Sequence, residues 1–205
     1  METKEHIEKK ETKKHIERII SRTFEIVQSV YDNQKEAEGR KDEAPPRSRI
    51  IYPKYRNNKT RFCEQELRFI FVEQLNEEIS NGWDVYYSIE TPTTKRYKFK
   101  DEPNPKVYGE DEKGGQSAQF DLVIHNNKFQ RIALIEFKAN NTLAQHHIKD
   151  FVKLNEEGLN DVLTFFLEIV RSSDNDTVEN LKNKKESFKG EFRCWSCSEG
   201  NYIIK

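Results

Sequence analysis

Two short segments hold the residues best suited to chemistry. Asp121 follows Phe120 in the run FDLVIHNN, and Glu136 and Lys138 lie near the end of the run IALIEFKAN. Ile132 to Ile135 is continuously apolar, which predicts a strand buried on both faces. Side chains alternate along a strand, so Glu136 and Lys138, two apart, share one face. A buried strand that ends in two charges needs a partner for each, because an unpaired buried charge costs several kcal/mol. A Glu136–Lys138 salt bridge would meet that need. So would a divalent metal ion, since Asp121 and Glu136 are hard oxygen ligands suited to Mg²⁺ or Mn²⁺ and Phe137 could add its backbone carbonyl. Glu64 supplies a third carboxylate from the first turn of an upstream helix, with Glu66 as the alternative.

The elements that must position these residues can be read along the chain. Ile16, Ile20, Phe24, Val27 and Tyr31 form one apolar stripe on a charged helix over residues 5–38, with Gly39 as its stop signal. Such a stripe must lie on the core or on a partner, and a homodimer is one candidate. Residues 40–60 carry Pro45, Pro46 and Pro53 and read as an extended linker. A second helix is predicted over 61–80, with Leu67, Phe71, Leu75 and Ile79 as its apolar face and Asn81-Gly82 as its end. Residues 83–89 read as a strand. Residues 91–118, rich in Pro and Gly, read as a long insertion with a hairpin near 95–99.

A strand over 120–125, a turn at Asn126-Asn127 and a strand over 131–139 follow. Thr142-x-x-Gln145 is a capping box that opens a third helix, whose core side is Leu143, His147, Phe151 and Leu154. A strand over 162–170, a helix from Asp176 and a last strand or pair over 192–204 complete the chain. The core order α-β-β-β-α-β predicts an α/β fold, a central mixed sheet with helices on both faces. The chain then divides into a helical extension (1–39), a basic linker (40–60) and a main domain (61–205).

Composition narrows the function. The chain has 205 residues, of which 34% are hydrophobic, 35% charged and 11% aromatic, so one modest core with solvated extensions is expected. No apolar run suits a membrane span, and the N-terminus has no apolar signal region. The three cysteines are then expected to be reduced thiols of a cytoplasmic protein. Cys194-x-x-Cys197 lacks the second ligand pair a structural zinc needs. The net charge of −1 conceals an uneven distribution. Residues 40–61 hold eight basic residues against two acids, a local charge of +6 in a remainder of −7. Arg47, Arg49, Lys54, Arg56, Lys59 and Arg61 in that strip, with Lys95, Arg96 and Lys98 in the hairpin, are candidate phosphate contacts. Tyr52, Tyr55 and Tyr97 lie among them as candidates for stacking on bases or for ordinary packing.

With Asp121, Glu136-x-Lys138 and the preceding helix carboxylate in place, residues 61–170 resemble the PD-(D/E)XK nuclease superfamily, the restriction-endonuclease-like fold. The segment CEQELRFIF is similar to the first helix of archaeal Holliday-junction resolvases, which assigns the helix carboxylate to Glu64. Ser117 to Phe120 stand where the motif's name places a proline. The resemblance implies Mg²⁺-dependent phosphodiester hydrolysis, by a DNA endonuclease in restriction, defence or DNA processing. An RNA nuclease, or an inactive nuclease fold that binds DNA or assembles with partners, is the alternative. It implies catalytic roles for Glu64, Asp121, Glu136 and Lys138. Lys138 would orient or help deprotonate the attacking water and shield charge on the phosphate. The helix after the catalytic strand often supplies a polar residue in this superfamily, which makes Gln145 and Lys149 further candidates.

Overall fold

A computed structural model describes residues 4–37, 50–99, 105–109, 112–140, 147–158, 162–171, 174–186 and 188–205. The elements are α1 (Lys4–Ala37), α2 (Glu64–Ser80), β1 (Tyr86–Lys98), β2 (Lys106–Tyr108), β3 (Gln116–His125), β4 (Arg131–Ala139), α3 (Ile148–Glu157), β5 (Leu163–Val170), α4 (Asn175–Glu186), β6 (Glu191–Ser196) and β7 (Asn201–Ile204). Arg47, Arg49, Gln145 and the Thr142 capping box lie outside the described residues.

The strands form one mixed sheet in the order β2-β1-β3-β4-β5-β6-β7. β1, β3 and β4 pair antiparallel, β4, β5 and β6 parallel, and β6 and β7 antiparallel. The two parallel steps need crossover connections, which α3 and α4 supply. The expected α/β architecture with a mixed sheet and helices on both faces is observed.

Each face of the sheet has its own core. On one, Ile135, Phe137, Phe165, Leu167 and Ile169 meet Leu67, Ile70 and Phe71 of α2 and Ile16, Ile20, Phe24 and Val27 of α1. On the other, Leu134, Phe166 and Phe192 meet Phe151 and Leu154 of α3 and Leu181 of α4. The N-terminal stripe therefore packs on its own chain. α1 shares the core of the main domain and is not an appendage to it, and the apolar face that suggested a homodimer is covered.

The segment 91–118 departs most from the expectation of a long insertion. β1 runs without interruption from Tyr86 to Lys98 and pairs with β3 along most of its length. The register shifts between Pro92 and Arg96, and this bulge takes up the proline that signalled a break. Thr93 ties the bulge down: its hydroxyl accepts the Ala118 N–H at 3.0 Å. At the far end Gly114 has φ +134, and a Cβ there would lie 2.7 Å from the Tyr108 ring, so the turn requires glycine. α2 begins at Glu64, later than expected, because Cys63 caps it by accepting the Gln65 N–H on Sγ.

Candidate active site

The site forms where β3 and β4 part. Their ladder runs inward to Leu122↔Ile135. One step further the Phe137 N–H donates to Asp121 Oδ2 at 2.8 Å, so a side chain takes the place of a strand partner. The N–H and C=O of one strand residue point to the same side, so the Phe137 carbonyl also faces this fork.

Glu136 and Lys138 leave β4 on the α3 side. Glu136 is 1% exposed. Lys138 Nζ stands 3.9 Å from Glu136 Oε2, 3.5 Å from Glu64 Oε2 and 3.4 Å from Asp150 Oδ2. Glu64 thus reaches the site from the first turn of α2, while Glu66 turns toward Cys63 and Tyr52. Of the two candidates on α2, Glu64 is the one that meets Lys138.

Two members of the cluster were missed in the sequence. Asp150 and Lys153 sit one turn apart on α3, with their charged groups 3.0 Å apart. Lys153 Nζ lies 2.7 Å from Glu136 Oε1 and donates to the Gln119 carbonyl of β3. Helical spacing puts both near the face of Phe151 and Leu154, which was a detectable signal. His147 is a core histidine, as its spacing suggests. It is buried edge-on to Phe166, with Nδ1 3.4 Å from Asp150 Oδ2.

Counted as fully ionised, the carboxyl groups of Glu64, Asp121, Glu136 and Asp150 face two ammonium groups, a formal excess of two negative charges. Burial, reinforced by Asp150 and Asp121, holds the Glu136 carboxyl well above the usual range despite the two lysines. Burial works against the charge on Lys138, but Asp150, Glu136, Asp121 and Glu64 outweigh it and keep the ammonium protonated. Burial also opposes ionisation of Asp150, yet His147, Lys153 and Lys138 hold its carboxyl below the usual range.

Among the described residues no three His, Cys, Asp or Glu side chains gather closely enough to form a metal cage. Mg²⁺ does not need one, since it takes one or two carboxylates and keeps several waters. Asp121, Glu136 and the Phe137 carbonyl fit that demand. Glu64 engages Lys138 and does not complete a cage.

The basic candidates fall on two sides of this centre. Lys54, Arg56, Lys59 and Arg61 are exposed on a tight turn closed by the Lys54↔Thr60 bridge, by the Tyr55 N–H donating to the Lys59 carbonyl and by the Asn58 N–H donating to the Tyr55 carbonyl. Arg171 pins the turn by donating to the Thr60 carbonyl, and its own N–H bonds Asn140, two residues beyond Lys138. The turn therefore borders the site. Arg96 and Lys98 are exposed on β1, and Lys149 stands 5.6 Å over the Phe99 ring. Lys95 is held by Glu156 at 2.8 Å. Of the three tyrosines, Tyr52 and Tyr97 are buried packing residues, and Tyr55 is 52% exposed. Cys194 and Cys197 belong to opposite cores, so they do not form half of a shared metal site.

Among the described residues no helix is long and apolar enough to cross a membrane. Comparison with models of known families, with curated proteins and with solved structures gave no match in any of the three.

Proposed function

We propose that this chain is a metal-dependent nuclease that hydrolyses phosphodiester bonds, with DNA as the substrate. The observation that carries the reading is the meeting of Asp121, Glu136, Lys138 and Glu64 at one strand fork beside an exposed basic turn. Acids with an excess of negative charge would repel a phosphate by themselves. Beside a cationic rim and a divalent ion, they become a centre for phosphate chemistry.

Asp121 and Glu136, with the Phe137 carbonyl, are the residues that would hold Mg²⁺ or Mn²⁺. Such an ion, when bound, supplies Lewis acidity toward a phosphate oxygen and toward water. Lys138 supplies a fixed positive charge where negative charge grows on the phosphate as water adds and the P–O bond breaks. Its carboxylate neighbours keep it protonated, which favours charge stabilisation over the role of proton acceptor. Glu64 and Asp150 hold its ammonium from opposite elements, α2 and α3. The basic turn and the exposed residues of β1 would track the backbone on either side.

The test is cleavage of supercoiled plasmid in Mg²⁺, in parallel with a structured RNA. Nicked or linear plasmid that disappears in EDTA and in Asp121→Ala supports the reading. Cleavage of the RNA alone reassigns the substrate. Nucleic-acid binding with no cleavage of either makes the chain a binding protein on a nuclease-like frame.

A further inference from the structure

Lys153 is tied to three oxygens on three elements. It is 7% exposed, and its Nζ lies 2.7 Å from Glu136 Oε1 on β4, 3.0 Å from Asp150 Oδ1 on α3, and within hydrogen-bond reach of the Gln119 carbonyl on β3. The Gln119 carbonyl accepts a hydrogen bond from this ammonium, and the two carboxylate oxygens lie within ion-pair distance of it. The stem runs beside Phe120, with Nζ 5.7 Å from the ring centre, and α3 is seated by Phe151 and Leu154. This cation is therefore built in and does not depend on the solvent.

Both strand carboxylates are thus half committed. Glu136 Oε1 faces Lys153, and Asp121 Oδ2 accepts the Phe137 N–H. Glu136 Oε2, 3.9 Å from Lys138 Nζ, and the second oxygen of Asp121 would meet an incoming ion. Two-ion centres hold their metals about 3.5–4 Å apart and rely on shared acidic ligands. Here one flank of Glu136 is already filled by an ammonium at 2.7 Å. We propose that Lys153 is a resident counter-ion that stands in the place of a second metal, so that the centre takes a single divalent cation. The consequence for cleavage rests on the nuclease reading; the number of ions bound does not.

The experiment counts Mn²⁺ ions bound per chain, by the loss of the free-ion electron paramagnetic resonance signal, on the full chain without nucleic acid. Wild type and Lys153→Arg should bind one ion. Lys153→Met keeps the stem, removes the charge and frees Glu136 Oε1, so its count should rise to two. Its melting temperature in EDTA should fall, and Mn²⁺ should restore it. A merely structural lysine would lower the melting temperature without adding an ion. Should the Met variant not fold, Lys153→Gln makes the same measurement. Two ions on the wild type, or one on a folded neutral variant, overturns the proposal. A wild type that binds one ion and cleaves nothing overturns the nuclease reading alone. A wild type that cleaves and binds two ions overturns this proposal alone.

Discussion

The Phe137 backbone N–H donates to Asp121 Oδ2, so the carboxylate assigned to the metal also closes the fork between β3 and β4. A variant that keeps the acceptor should separate the two roles. Asp121→Asn retains an oxygen for the Phe137 N–H and should melt close to wild type. Asp121→Ala leaves that donor unpaired and should lose about 1–3 kcal/mol. Both should lose Mn²⁺ affinity and cleavage. Denaturant melts paired with Mn²⁺ titrations check this, and equal stability losses in the two variants would count against it.

Lys138→Ala removes a charge that three carboxylates within 4 Å hold in place. Cleavage should fall by on the order of 10²–10³ in kcat. Mn²⁺ affinity should hold or tighten slightly, because a positive neighbour is gone. A folded variant with near wild-type turnover would reduce Lys138 to a structural partner of Glu136.

The strand fork was legible because its evidence is local. Period two placed Glu136 and Lys138 on one face, and the apolar run between a turn and two charges marked β4 from Arg131 to Ala139 as observed. The rest depended on contacts far apart in the chain. Pro92 reads as a break, yet a bulge absorbs it, and no neighbouring residue announces the bulge. Asp150 and Lys153 join the site only because α3 crosses the fork. The stripe on α1 looks the same whether it meets its own sheet or a second chain. Cys194 and Cys197, close in sequence, are separated by the sheet itself.

The basic turn should show itself in salt dependence. Arg56 and Lys59 are exposed on a turn that borders the site. Arg56→Ala and Lys59→Ala should each weaken DNA binding by a similar factor across sequences. Each should reduce the slope of log K against log salt by about 0.9 on duplex DNA. Affinities measured across a range of salt decide it, and an unchanged slope would place the turn outside the interface.

Acid should loosen the contact between α1 and β6. Burial raises the Glu191 carboxyl, but hydrogen bonds from Lys13 and Arg193 outweigh it and hold the group below the usual range. A depressed native pKa gives stability that is complete above the unfolded value of about 4.3 and drains away as pH falls through the native one. Glu191→Gln should therefore lower the melting temperature at pH 7, where the stabilisation is complete, and flatten its decline below pH 5, so that the two proteins converge in acid. A parallel acid limb in the variant would exclude Glu191 as its source.

Phe24 tests whether α1 is structural. Its ring is fully buried and meets Trp195 at 5.6 Å and Tyr202 at 5.5 Å. Phe24→Ala should cost about 3–5 kcal/mol, as for a large core residue. A loss under 1 kcal/mol in denaturant melts would make α1 a detachable segment.

The seat of α1 also sets an order of events during synthesis. Gln28 accepts the Trp195 indole N–H and donates to the Cys197 carbonyl, and Glu17 pairs with Arg193, so the helix docks on strands made about 170 residues later. On the ribosome α1 emerges first and waits through the whole of the sheet before β6 and β7 exist to receive it. At roughly 5–20 residues per second that interval is on the order of ten seconds or more. During it, a helix with an apolar stripe is a ready client for a holding chaperone. Final closure is a contact between residues about 170 apart in sequence, and contacts of such long range are slow to form. Truncation of β6 and β7 should for this reason harm solubility more than their small share of the sheet suggests.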